Sequence, residues 1–137
     1  MVIFLLLAAA IAGCTTTFAE DLRSLQSDAM ASPALPGTEL VRKSETDAEV
    51  GFMHKPGLAM IQLTFKTTGR DLASIKEDAV DHAQAAGWRV DDGDADVVRG
   101  QKEFDTGGAT IGISIIDTEE GQRLLIILTH EFNHPTS

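Results

Sequence analysis

Apolar residues along this chain fall into blocks, and the spacing within each block differs from that of its neighbours. Residues Val2 to Ala12 form an unbroken apolar run of eleven. Leu58 to Lys66 alternates, with Ala59, Ile61, Leu63 and Phe65 on one side and Gln62, Thr64 and Lys66 on the other. That two-residue period predicts a half-buried strand. The spacing then lengthens. Leu72, Ile75, Ala79, Ala83 and Ala86 fall on one stripe, which predicts an amphipathic helix over 71–86. Asp71 is placed to cap its first turn and Gly87 to close its last. Trp88, just beyond, is expected to pack into the core beside the stripe.

The alternation returns in the C-terminal half. Val97 to Phe104 and Thr110 to Ile116 read as strands, the second with Ile111, Ile113 and Ile115 set against Gly112 and Ser114. Asp117 to Gln122 supplies a turn. Arg123 to Thr129 is apolar enough at its centre to read as a strand covered on both faces. Upstream, Thr38 to Val41 and Val50 to Met53 read as short strands separated by a charged turn from Lys43 to Asp47. The strands after the helix are joined by turns too short for parallel crossovers. The expected fold class is α+β, with a two-layer arrangement: an antiparallel β-sheet with one main amphipathic helix packed on one face.

As a helix, the leading apolar run would be about 17 Å long, against a hydrocarbon core of about 30 Å. That length suits the h-region of a signal peptide better than a membrane span. The run ends at Ile11-Ala12-Gly13-Cys14, a segment that resembles the lipobox of bacterial lipoproteins. The resemblance implies removal of residues 1–13 as a signal peptide and attachment of acyl chains to Cys14, which becomes the first residue of the mature chain. It also implies anchoring to a cell membrane or outer membrane, facing outside the cytoplasm; two or three acyl chains hold stably where one would not. Residues 14–37, rich in Thr, Ser, Ala and Pro, read as a flexible tether after the lipidated cysteine. Within it Thr17 and Glu20 have capping-box spacing, and Phe18, Leu22, Leu25 and Ala29 recur at helical intervals. The single folded domain is then expected over 38–134.

Charge narrows the partners. The chain carries 21 acidic and 11 basic residues, a net charge of −10, all of it after Gly13. Such a domain is repelled by phosphate backbones, so nucleic-acid binding is disfavoured. Tyrosine is absent and Trp88 is the single tryptophan, leaving few platforms for stacking sugars or bases. Cys14 is the single cysteine, so no internal disulfide staples the domain.

Two patterns carry candidate chemistry. His130-Glu131-Phe132-Asn133-His134 is a literal H-E-x-x-H, which on a helix sets two imidazoles on one face to bind zinc while the glutamate activates water. Here it follows a strand-like run, so a strand leading into a solvated tail is the better reading. Asp92, Asp94, Asp96 and Glu103 stand at positions one, three, five and twelve of an EF-hand loop, but position six is Val97 in place of glycine. A solvated acidic turn fits them better than a calcium loop. His82 follows Asp78 by one helical turn, where a hydrogen bond between them is expected, and His54 lies beside Pro56-Gly57 with no evident partner. Glu119 and Glu120 fall in an exposed turn, where nothing raises a carboxyl pKa for acid catalysis. No G-x-S-x-G elbow, P-loop or G-x-G-x-x-G is present, and the sequence points to no cofactor. The functional expectation is a membrane-anchored, non-catalytic binding or structural module of the cell envelope that meets an envelope protein or a small ligand. The competing expectations are a metal-binding protein or zinc hydrolase built on His130, Glu131 and His134, and a calcium-stabilised surface protein.

Overall fold

A computed structural model describes residues 17–46 and 58–131, the first three of these by backbone alone. The element order is α1 (Thr17–Ser27), a 3-10 turn (Ala29–Ala31), β1 (Thr38–Thr46), β2 (Ala59–Thr67), α2 (Leu72–Ala85), β3 (Arg89–Val90), β4 (Val97–Phe104), β5 (Gly107–Thr118) and β6 (Gly121–His130). The six strands form one sheet in the order β1-β2-β6-β5-β4-β3, antiparallel at every pairing. The fold class is therefore α+β; among the described residues α1 stands as a second helix beside the one main helix expected. The expected strand at Val50–Met53, with Cys14, His54 and His134, lies outside the described residues.

The register explains which side chains are inside. Ile61 lies opposite Leu128, which lies opposite Ile111; Leu63, Ile126, Ile113 and Val98 form the next row across four strands. All of these are buried and share one sheet face, because side chains in register project to the same side. Each such residue gains about 1.5–3 kcal/mol from leaving water. Helix α2 brings its predicted stripe to this core: Leu72, Ile75, Ala79 and Ala83 are buried, with Val80. The Asp71 carboxylate accepts the Ser74 N–H at 2.9 Å and so caps the first turn. Gly87 ends the helix at φ +98°, a conformation that suits glycine. Trp88 follows into the core, 2% exposed.

Three expectations are corrected. The tether assigned to residues 14–37 is part of the fold from Thr17 onward, since Leu25, Met30, Ala31 and Leu35 are all buried in the core cluster. Pro and Ser there terminate short elements, and the apolar residues between them anchor the segment. The charged turn at Lys43–Asp47 is not a turn as far as Thr46: β1 runs through it, exposed along nearly its whole length, so no burial pattern marks it as a strand. Nor is β6 covered on both faces. Leu124, Ile126 and Leu128 are buried, whereas Leu125 and Ile127 on the opposite face are only half-buried.

Candidate functional site

Two polar clusters join α1 and the turn after it to the sheet. In the first, Asp28 caps the 3-10 turn by accepting the Met30 N–H at 2.9 Å, and the same oxygen accepts the Trp88 indole N–H at 2.9 Å. Its other oxygen pairs with the Lys102 ammonium, which also donates to the Ala86 carbonyl at 2.5 Å. The Lys102 ammonium sits near both the Trp88 and Phe104 rings, 5.8 and 5.3 Å from their centroids. Asp28 is thus a buried charge with a cation and two N–H donors, the condition under which burial is tolerated.

The second cluster centres on His130, fully buried at the end of β6. Its register neighbours are Ala59 and Ala109, whose small side chains leave room for the imidazole. Phe104 stacks on it at 6.3 Å. Nδ1 lies 2.8 Å from the Glu131 carbonyl and 3.6 Å from the Asp21 carboxylate, and both oxygens only accept. Nδ1 therefore carries the hydrogen, and in the neutral ring Nε2 accepts from the Thr106 hydroxyl at 2.8 Å. Thr106 Oγ1 in turn accepts from Ser24 at 2.6 Å, which ties α1 to the turn between β4 and β5. The chain of donors runs Ser24, Thr106, His130 and closes on a carbonyl, so its protons serve to hold the helix in place.

This geometry settles where the sequence candidates lie. His130 ends a strand and Glu131 follows it outside any helix, so these two residues do not lie on the helical turn that an H-E-x-x-H zinc site needs. Glu131, the next residue, is exposed, and its N–H donates to the Gly108 carbonyl at 2.8 Å. Asp92, Asp94 and Asp96 are exposed in the turn before β4, with the Asp94 N–H bonded to the Asp92 carboxylate at 3.0 Å. The carbonyls of Ala95 and Asp96 accept from the Lys76 ammonium, at 2.7 and 3.0 Å. Glu103 stands seven residues beyond Asp96, near the far end of β4, about 20 Å along the strand. It cannot close a loop over the three aspartates, which rules out the EF-hand arrangement. Among the described residues, no three His, Cys, Asp or Glu side chains gather as a metal site. Asp78 pairs with Arg70 at 2.7 Å instead of binding His82, which is exposed. Glu119 and Glu120 form the exposed two-residue turn between β5 and β6.

Sequence reasoning overlooked Asp21, Ser24, Asp28, Lys102 and Thr106. One signal was present: Asp21, Leu25 and Asp28 are spaced by four and three, which sets two carboxylates on the apolar side of a helical segment. It also overlooked the sheet's other face. Arg99, Gly112 and Ile127 lie in one row there, beside the row of Gln101, Thr110 and Thr129. Together with Asp91 at the rim they line an open depression of about 530 Å³. Its floor exists because Gly112 has no side chain: a methyl group built there meets no atom within 4 Å. Arg99 is exposed, and among the described residues its guanidinium makes no hydrogen bond or ion pair. The depression combines an apolar floor, two hydroxyls, an amide and an available cation, a combination suited to holding a polar group against an apolar one.

Among protein-family models, curated proteins and solved structures, none matches this chain.

Proposed function

We propose that this chain is a lipid-anchored, non-catalytic binding module of a bacterial cell envelope, which meets an envelope protein or small ligand across the uncovered face of its sheet. In this reading the domain is two-layered: α1, the 3-10 turn and α2 form one layer, and the sheet's second face is left to a partner. The depression over Gly112 carries the reading, with Arg99 at its edge making no hydrogen bond or ion pair among the described residues. The buried histidine supports it from the other side, because a fully buried imidazole held by Thr106 and a carbonyl is not presented to a substrate.

Lipidation at Cys14 supplies the address. Only Thr15 and Thr16 separate Cys14 from the start of α1. Three residue steps reach at most about 11 Å, so an acylated Cys14 would hold the domain close against the bilayer. Confinement at that surface raises the effective concentration of a weak binder near a membrane partner.

Site-specific photo-cross-linking in the native membrane tests this. A photoreactive side chain at Thr110, on the uncovered face, is expected to give a discrete adduct, and one at Gln84, exposed on α2, is expected to give none. Adducts at Gln84 without adducts at Thr110 would place the binding surface on the helix side and end the proposal.

A further inference from the structure

We infer that β1 pairs edge to edge with β1 of a second copy of this chain. The two edges of the sheet differ. β3 is two residues long, whereas β1 is nine, and among the described residues no strand lies on its outer side. A free edge of that length presents a row of backbone donors and acceptors ready to pair.

The side chains on this edge favour a particular partner. Leu40 lies opposite Phe65 and Arg42 opposite Thr64, so Val41 is an extra residue in a β-bulge. Leu40 and Val41 are consecutive, apolar and 46% and 45% exposed. Beside Leu40 a groove of about 170 Å³ is lined by Ala31, Pro33, Leu63 and Phe65. Glu39 and Arg42, by their pairing with Lys66 and Thr64, project from the uncovered face.

Charge then selects the register. An antiparallel pair with its two-fold axis between Leu40 and Val41 sets Glu39 against Arg42 of the second copy, twice, and Leu40 against Val41, twice. Centring the axis on Arg42 would oppose Arg42 to itself and Glu39 to Glu45. Moving it between Arg42 and Lys43 would oppose two cations. Other registers also oppose unlike charges, but this one alone sets both exposed apolar residues against apolar residues. An edge protected from pairing carries charges that repel a copy of itself. Here the signs attract. Glu39 already holds Lys66 at 3.1 Å, so each joint would add a second cation to the same carboxylate.

The test uses two full-length copies carrying different affinity tags, co-expressed and purified through one tag. Wild-type copies are expected to co-purify. Glu39→Arg with itself, and Arg42→Glu with itself, should each reduce recovery by about tenfold, because two attractive contacts become repulsive. Glu39→Arg mixed with Arg42→Glu restores both contacts and should recover the pair, which also shows that each variant folds. Absence of wild-type co-purification, insensitivity to both charge reversals, or no recovery in the mixed pair would each overturn the inference.

Discussion

Trp88 and Asp28, sixty positions apart, share a 2.9 Å hydrogen bond from the indole Nε1 to a carboxylate that is itself fully buried. The bond joins Trp88, just past the Gly87 that closes α2, to the cap of the 3-10 turn, and Lys102 on β4 completes the group. Replacing Asp28 by alanine removes the counter-charge of Lys102 and the acceptor for two N–H groups. The expected loss is about 3 kcal/mol, at the low end for breaking a buried pair because Lys102 retains some contact with water. Asp28→Asn, which keeps an acceptor, should lose less. Urea unfolding followed by Trp88 emission measures both.

Helix α1 belongs to the folded body, and Leu25 is its fully buried anchor. Leu25→Ala should therefore cost about 2–5 kcal/mol. A segment serving only as a tether would show no change. Thermal unfolding monitored by the fluorescence of the single tryptophan separates the two, since Trp88 reports the core that α1 covers.

The elements legible in the sequence are those whose burial repeats locally. Ala59 to Phe65 alternates because one face of β2 is core, and Leu72 to Ala83 steps by three and four because one face of α2 is core. β1 shows no such repeat, since it is exposed along nearly its whole length and, among the described residues, no strand lies on its outer side. The docking of α1 was illegible for another reason. Leu25, Met30 and Leu35 sit among Ser, Asp and Pro, and only the completed sheet gives them a surface to cover. The depression over Gly112 required the register, because Arg99 and Ile127 flank that glycine from two other strands. His130 was visible as a motif residue, but its role depends on Ser24 and Thr106, 106 and 24 positions away.

Acid should weaken the start of α2. The Ser74 N–H, chiefly, holds the Asp71 carboxyl below its ordinary value of 3.8, with the Ser74 hydroxyl adding to it. A carboxyl depressed in the folded state contributes stability above its unfolded pKa and loses it as pH falls through the folded one. Asp71→Asn keeps an acceptor for the cap but cannot titrate. Its melting temperature should fall less steeply than that of the parent chain as pH drops below about 4.

Gly100 on β4 and Gly112 on β5 should respond to substitution in opposite ways. A methyl group at Gly100 meets the Arg89 carbonyl oxygen and Ile111 Cγ2, each at 3.0 Å, so Gly100→Ala should cost about 1–3 kcal/mol. Gly112→Ala meets nothing and should leave the unfolding midpoint near that of the parent. Gly112→Val, filling the floor of the depression, should retain the fold and abolish the Thr110 cross-link. Circular dichroism and the cross-linking yield read the two effects separately.

In the proposed reading, acyl chains on Cys14 decide where this domain works, and intact mass spectrometry of the product extracted from its own membrane tests for them directly. The predicted species starts at Cys14 and carries the added mass of a diacylglyceryl group. A species that retains Met1 and an unmodified thiol at residue 14 would contradict the anchor and remove the reason for placing the domain at a membrane.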